Sequence, residues 1–270
     1  MLELQRNVIF GQFVDTGSYI HRMDSRVKLA AVFVMLVASF LIDSFPGFAV
    51  AALLLVLIQV VSRVPLAYVL RGSAFFLGFL LFILLFQVLF YTGEVPESSY
   101  LWRWGVLSIS IEGLRSAGIL GLRVIFLYHV TTMLMLTTSL VDLTNGLELI
   151  FGPLQRIRVP VNELVLVFVI AIKFVPIFIE EVERLARAQT ARGVPFDEGG
   201  AFTRARRLGR LLVPIFIGGF HRADLLSTAM HTRCYRGGRY RTKFRQMSAK
   251  PSDWLALALV IVWMIAAWLV

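Results

Sequence analysis

Long uncharged runs of apolar residues constrain the fold of this chain more than any other feature. Four runs approach or exceed the length needed to cross a bilayer, which is about 20 residues for a helix. They are residues 44–62, 72–93, 124–141 and 254–270, and a shorter run at 29–42 is extended by Lys28. At 58% hydrophobic residues in 270 and a mean hydropathy of +0.77, the chain has more apolar surface than a soluble fold can bury. The sequence predicts an integral membrane protein.

The positive charge is concentrated in one segment. The net charge is +10, and residues 181–250 alone carry 15 Lys and Arg against 5 Asp and Glu. Cytoplasmic segments next to membrane spans carry an excess of Lys and Arg. We therefore expect this segment to lie in the cytoplasm near anionic lipid, and we expect no nucleic-acid partner.

The spans and the charges together predict a topology. Spans are expected at residues 27–42, 46–61, 72–92, 113–141 and 254–270, with the amino terminus inside because Arg22, Arg26 and Lys28 precede or open the first span. The fold class is an all-α integral membrane protein with about five transmembrane helices and a cytoplasmic coupling domain of long helices. The predicted domains are a four-span membrane domain (1–141), a coupling domain (142–250) and a final transmembrane helix (251–270). Six spans with the amino terminus outside is the alternative.

The apolar run at residues 164–179 decides between these topologies. If it crossed the membrane, the basic segment would lie outside, against the charge rule. We therefore predict a helix of about 30 residues lying along or just under the bilayer, capped by Asn162, bent at Pro176 and ended by Gly193. A short amphipathic helix is predicted before it, at residues 142–154, from apolar residues at helical spacing.

A five-residue sequence occurs twice in the basic half of the chain. Val-Pro-Ile-Phe-Ile stands at 175–179 and at 213–217, and each copy leads into a helix that ends on an arginine between two small residues. The first ends at Ala191, Arg192 and Gly193, and the second at Thr232, Arg233 and Cys234, where we expect Gly237 and Gly238 to end the helix. Pro214 is the predicted bend of the second helix, as Pro176 is of the first.

Each terminal arginine has an alanine one turn before it on the same helix face. The pairs are Ala188 with Arg192 and Ala229 with Arg233. Small neighbours leave the planar donor fork of the guanidinium accessible, so it can bond carboxylates or helix-terminal carbonyls in a groove of another protein. The alternative is that each arginine only compensates the negative end of its own helix. The duplication favours docking on a partner.

Other motifs narrow the function. Gly113, Ala117 and Gly121 form a stripe of small residues that lets another helix approach closely. The sequence has no Gly-rich loop followed by Lys-Ser or Lys-Thr, which argues against nucleotide hydrolysis by this chain. The four histidines lack metal-ligand spacing, so no cofactor or metal is expected. The single cysteine, Cys234, rules out an internal disulfide.

These motifs together resemble a known family. The chain is similar to the transmembrane T component of energy-coupling factor transporters, a class of ATP-driven importers of vitamins and metal ions. The resemblance covers most of the chain and includes residues 21–29 (His-Arg-Met-Asp-Ser-Arg-Val-Lys-Leu) and the Val159-Pro160 pair. It is strongest at the two arginine motifs. In the family the residue before the arginine is more commonly Ala or Ser, so Thr232-Arg233-Cys234 departs slightly from the family's motif.

The resemblance implies partners and a mechanism. Arg192 and Arg233 would dock into grooves on two ABC-type ATPase subunits, and a substrate-binding membrane protein, the S component, would rest on the long helices. The chain would be a multi-pass protein of a prokaryotic cell membrane and would transmit ATPase motion without catalysis of its own. The substrate, the stoichiometry and whether one module serves several S components stay open.

Two other classes remain as alternatives. A polytopic membrane enzyme acting on lipid or prenyl substrates would use the basic face to hold phosphate headgroups. It would need clustered acidic residues or histidines at the membrane, which the sequence does not offer. A channel is the third class, and no stretch resembles a selectivity filter.

Overall fold

A computed structural model describes most of the chain. The described residues are 13–70, 73–91, 100–104, 107–157, 160–194, 200–238 and 249–270. They divide into two compact units. The membrane unit comprises Gly11–Gly146 and Met247–Val270, and the arm unit comprises Leu147–Gln246. Each unit is described by itself.

The fold is almost entirely helical, as the sequence predicts. The membrane unit contains α1 (Tyr19–Arg22), α2 (Ser25–Leu41), α3 (Phe45–Ser62), α4 (Leu66–Leu70), α5 (Ser73–Leu89), β1 (Tyr100–Trp104), β2 (Leu107–Ser110), α6 (Ile111–Thr137) and α10 (Pro251–Leu269). Helix α7 (Leu140–Phe151) leads from this unit into the next. The arm unit continues with a 3₁₀ helix (Gly152–Ile157), α8 (Val161–Ala191) and α9 (Ala201–Thr232).

Three helices in the described residues are long and apolar enough to cross a membrane, namely α3, α6 and α10. Helices α2 and α5 cover two further predicted spans, and each has 17 residues, the lower limit for a span. The predicted limits of the third span, Gly72 and Thr92, lie outside the described residues. Helices α8 and α9 are not among the span candidates.

The core of the membrane unit lies between α2, α3, α6 and α10. Gly47 of α3 allows the closest approach, because a Cβ there would lie 2.5 Å from the Ala267 carbonyl oxygen. The Trp263 indole N–H donates to the Val50 carbonyl over 2.9 Å. These contacts fix α10 against α3. The fully or nearly fully buried core residues are Met35, Ile42, Phe48, Ala51, Leu54, Leu55, Phe126, Val130, Met264 and Ala267.

Two cationic side chains join membrane helices through backbone oxygens. Lys28, which is 6% exposed, donates from Nζ to the Thr137 carbonyl at 3.0 Å and to Thr138 Oγ1 at 3.2 Å. Arg123 donates from Nε to the Ser39 carbonyl at 2.9 Å and from Nη2 to the Ile42 carbonyl at 2.9 Å. Helix α6 is thereby fixed to both ends of α2.

One local prediction is wrong in the membrane unit, and one element there was not predicted. The fourth span was expected to continue to Val141, but α6 ends at Thr137 and α7 begins at Leu140. Ser139 causes the break, because its Oγ accepts from the Asp142 N–H at 3.1 Å and donates to the Asp142 carboxylate at 2.7 Å, which is an N-cap arrangement. The loop before α6 also contains an unpredicted antiparallel hairpin, β1 with β2.

Candidate functional site

The two long helices of the arm unit carry the predicted arginine motifs. We call α8 the first arm and α9 the second arm. The first arm has 31 residues and the second 32, so each is about 46–48 Å long at 1.5 Å per residue. Both contain their proline, Pro176 or Pro214, inside an unbroken helix. Because proline lacks an N–H and crowds the preceding turn, a bend at these residues remains our prediction.

The first arm ends in a complete Schellman motif. Arg192 is the C-cap, Gly193 has a φ of +82°, and its N–H donates to the Thr190 carbonyl at 2.9 Å. The Val194 N–H donates to the Gln189 carbonyl at 3.1 Å. These two bonds satisfy carbonyls that the helix itself leaves unpaired.

The second arm ends in the same way. Arg233 is the C-cap, and the Cys234 N–H donates to the His231 carbonyl at 3.0 Å. The Tyr235 N–H donates to the Met230 carbonyl at 3.0 Å. The helix therefore ends at Thr232, and the expectation that Gly237 and Gly238 end it is wrong. Those glycines follow only after the motif is complete.

The arginine side chains take no part in this capping, which uses backbone groups alone. All six motif residues are exposed: Ala191, Arg192, Gly193, Thr232, Arg233 and Cys234. Within the described part of the chain, neither the Arg192 nor the Arg233 guanidinium has an ion-pair partner. Ala188 and Ala229, one turn back, are exposed as well. Each arm thus presents a guanidinium on a surface of small side chains.

The two arms cross at Phe178 and Gly219. A Cβ at Gly219 would lie 3.3 Å from Cζ of the Phe178 ring, so the absence of a side chain lets the second arm approach closely. One turn further along each arm, Arg222 Nη2 lies 2.5 Å from Glu181 Oε2. The same guanidinium lies over the Phe178 ring, 5.9 Å from its centroid, within cation–π range.

Glu181 also bonds Arg184 on its own arm. The hydrogen bond from Arg222, with the nearby Arg184 charge, lowers the pKa of the Glu181 carboxyl below its ordinary value of 4.5. The carboxylate is therefore ionised at neutral pH, and it joins the two arms electrostatically.

A second contact shows that the arms run in opposite directions. The Gly238 N–H donates to Glu163 Oε1 at 3.0 Å, and Asn162 Nδ2 donates to the Gly238 carbonyl at 2.9 Å. The segment that follows the second tip therefore lies at the base of the first arm. Asn162 was predicted to cap the first arm, but Pro160 is the N-cap, and the Asn162 side chain binds this segment instead.

The arginine tips are placed symmetrically about the crossing. Arg192 stands fourteen residues after Phe178, and Arg233 stands fourteen residues after Gly219. Each tip therefore lies about 21 Å beyond the crossing. Because the arms are antiparallel, the tips lie at opposite ends of the crossed pair.

The repeated pentapeptide is not the structural repeat. Its two copies stand 38 residues apart, whereas the crossing residues and the arginines stand 41 apart. Phe178 of the first copy packs at the crossing, but Phe216 of the second copy is 62% exposed. The pentapeptide correctly marks both arms, but it aligns them three residues out of register.

The predicted small-residue stripe packs inside the membrane unit. A Cβ at Gly113 would lie 3.1 Å from Cβ of Tyr91, and one at Gly121 would lie 3.2 Å from Cδ1 of Leu84 in α5. Ala117 between them is 4% exposed. The helix that approaches this stripe is α5 of the same chain.

Sequence reasoning missed the crossing residues. Glu181 and Arg222 were seen only as charges, and Gly219 was not considered. The signal that could have found them is the 41-residue spacing, which pairs a large residue with glycine and an acid with a base. Among the described residues, no group of three or more His, Cys, Asp or Glu could hold a metal ion.

The fold and this site define a class: a helical membrane protein whose second unit presents two matched arginine tips on crossed helices. A family model described as cobalt transport protein (CbiQ) matches residues 16–244. Val159, one of the residues behind the resemblance, lies outside the described residues. The chain belongs to this family, which the sequence motifs predicted.

Relatives whose names state a role support the same assignment. An energy-coupling factor transporter transmembrane protein EcfT of Heliobacterium modesticaldum is 38% identical over 249 residues, which cover 92% of each chain. The protein of the same description from Ruminiclostridium cellulolyticum is 34% identical over 96% of this chain and 95% of its own. That of Bacillus subtilis is 32% identical over 95% of both. The similarity therefore spans both units.

Proposed function

We propose that this chain is the non-catalytic coupling subunit of an ATP-driven importer of the energy-coupling factor type, which takes up a vitamin or another micronutrient. Two ABC-type ATPase subunits supply the energy, and a substrate-binding membrane S component carries the substrate. The subunit works in the cell membrane of a prokaryote. The names of the relatives and the family match support the transporter role, and the geometry of the arms supports the mode of coupling.

One observation carries the proposal: two arms of the same chain end in the same cap and present the same exposed arginine. A guanidinium binds a carboxylate or phosphate through two parallel hydrogen bonds, which fixes its direction as well as its position. The two tips lie at opposite ends of the crossed arms and are at most about 42 Å apart. This separation fits two separate grooves better than one. We infer that each groove belongs to one ATPase subunit of a pair.

Coupling then follows from the rigidity of the arms. A helix transmits displacement along its axis, because every turn is hydrogen-bonded to the next. When the ATPase pair closes or opens, the docked Arg192 and Arg233 move with it. The arms transfer this motion to the S component, which rests on their apolar parts, and Pro176 and Pro214 are the points where we expect the arms to bend.

The test is charge reversal at the tips. Three tagged variants of this chain are each co-expressed with the ATPase subunits and an S component. They are Arg192→Glu, Arg233→Glu and the double variant. We expect each single variant to lower the amount of co-purifying ATPase and the double variant to lose it, while the chain stays in the membrane. Arg192→Lys should bind less ATPase than the wild type, because lysine cannot form two parallel bonds.

Matched controls are available on the same arms. Arg187 and Arg236 are exposed arginines near the two tips, and Arg187→Glu with Arg236→Glu changes the net charge by the same amount. We expect this control to retain both ATPases. Normal ATPase retention and normal substrate uptake by the Arg192→Glu and Arg233→Glu double variant would show the docking proposal to be wrong.

A further inference from the structure

The crossing of the arms is built from complementary residues at related positions. Phe178 and Gly219 stand 41 residues apart, as do Glu181 and Arg222, and as do the two tip arginines. At the crossing, the large side chain of one arm therefore meets the glycine of the other, and the acid of one arm meets the base of the other. Two identical arms could not make these contacts with each other.

We propose that Phe178, Glu181, Gly219 and Arg222 form a lock, the crossing lock, that fixes the angle between the two arms and so makes their tips move together. These are positioning residues, since they act through Arg192 and Arg233. The consequence for transport rests on the proposed function, but the lock itself is a property of this chain.

The contacts of the lock are of two kinds. The steric part is the Phe178 ring seated on Gly219, where a Cβ would come within 3.3 Å of the ring. The ionic part is the Arg222 to Glu181 pair at 2.5 Å, whose side chains are only 28% and 21% exposed. Partial burial reduces screening of this pair by solvent, and Arg222 also lies over the Phe178 ring. Arg222 therefore contacts both lock residues of the first arm and links the ionic part of the lock to the steric part.

The position of the lock explains why its rigidity matters. Each tip lies about 21 Å beyond the crossing, so a rotation of about 10° there would displace a tip by about 4 Å. A loose crossing would allow each arm to follow its own partner, and motion of one tip would not reach the other.

The steric part is tested by two adjacent glycines of the second arm. A Cβ at Gly219 meets the Phe178 ring, whereas one at Gly218 meets nothing within 4 Å. Gly219→Leu and Gly218→Leu both raise the helix propensity of the second arm by the same amount, and they differ in their effect on the crossing. Spin labels on the native, exposed Cys234 and on Thr190→Cys report the tip-to-tip distance in the full-length chain in lipid nanodiscs.

We expect Gly219→Leu to shift the mean tip-to-tip distance by about 4 Å or more, or to broaden its distribution, as the crossing opens. Gly218→Leu should retain the wild-type distribution. A wild-type distribution in Gly219→Leu would overturn the steric part of the lock.

The ionic part is tested by exchange of the charges. Arg222→Glu and Glu181→Arg each place like charges at the crossing and should broaden the distance distribution. The double variant restores an opposite pair and should restore the distribution. Arg222→Ala should broaden it, whereas Arg184→Ala, which removes only the partner on the same arm, should not. If the exchanged pair behaves like the single variants, the ionic part is wrong.

The consequence for transport is measured separately. In the assembled transporter in proteoliposomes, we expect Arg222→Glu and Gly219→Leu to keep both ATPases bound but to import several-fold less substrate per ATP hydrolysed. The exchanged pair should restore this ratio. Unchanged ratios together with altered tip distances would overturn the transmission role. Normal ATPase retention and uptake in the Arg192→Glu and Arg233→Glu double variant would instead overturn the proposed function and would leave the tip-distance results unchanged. The two proposals therefore fail in distinguishable ways.

Discussion

Cys234 adopts the same left-handed backbone conformation as Gly193, with φ of +58° against +82°. Both residues directly follow the C-cap arginine of their arm, and both N–H groups donate into the last turn. Left-handed φ is open to glycine and costs other residues about 1–2 kcal/mol. The second tip therefore keeps the geometry of the first even though its sequence differs.

This relationship predicts how Cys234 tolerates substitution. Cys234→Gly should retain the structure of the tip, because the strain it removes offsets the entropy of the added glycine, about 0.5–1 kcal/mol. Cys234→Val should loosen the last turn, since a β-branched residue fits left-handed φ poorly. Hydrogen exchange of peptides covering residues 225–236 measures this. Faster exchange in Cys234→Gly than in Cys234→Val would contradict the prediction.

Arg123 is predicted to stabilise the membrane unit. Its replacement by leucine leaves the carbonyls of Ser39 and Ile42 without their donor, and an unpaired buried acceptor costs about 1–3 kcal/mol. We expect Arg123→Leu to lower the thermal unfolding temperature in detergent by several degrees. Arg115 of the same helix is exposed, and Arg115→Leu should have a smaller effect. Equal shifts for both variants would argue against the role of Arg123.

Lys28 gives an independent prediction at the other end of α2. Lys28→Met keeps the length and apolar stem of the side chain but removes the donor to Thr137 and Thr138. We expect destabilisation by about 1–3 kcal/mol, measured as the loss of monodisperse protein on heating. Lys173→Met, at an exposed position of the first arm, is the control and should leave the heating curve unchanged.

The crossing lock should be insensitive to pH over the physiological range. Arg222 lowers the pKa of the Glu181 carboxyl below 4.5. A carboxyl whose pKa is lower in the folded than in the unfolded chain stabilises the fold at pH values above its pKa in the unfolded chain. This contribution is lost as the pH falls through its pKa in the folded chain. We therefore expect a constant tip-to-tip distance from about pH 8 to about pH 5, with loosening only at lower pH. Loosening near pH 6 would contradict this assignment.

How much of the structure could be predicted from the sequence differs between the two units. The spans, the long first arm and the two arginine tips follow from patterns of apolar residues, small residues and charge, which act locally along one helix. The break after Thr137 could also have been predicted, because Ser139 and Asp142 form a cap within four residues. The hairpin before α6 depends on pairing between strands, and that pairing leaves a weak local pattern.

Residues that join distant helices are the ones that sequence reasoning missed. Lys28 stands at the edge of a predicted span and Arg123 stands inside one, and neither position reveals the partner. The partner of Lys28 is Thr137, 109 residues away, and that of Arg123 is Ser39, 84 residues away. Asn162 looks like a helix cap, but its amide binds Gly238 instead. In each case a residue type permits several local roles, and contacts from another part of the chain select one.

The sequence by itself determined that this chain is a helical membrane protein with two arginine-tipped arms and that it belongs with energy-coupling factor membrane components. Hydrophobic length, charge excess and a short motif suffice for this, because each is set by neighbouring residues. Only the tertiary structure decided that the arms cross at Phe178 and Gly219 and that their true spacing is 41 residues. The crossing depends on which side chains contact each other across two helices, and the repeated pentapeptide does not predict that contact.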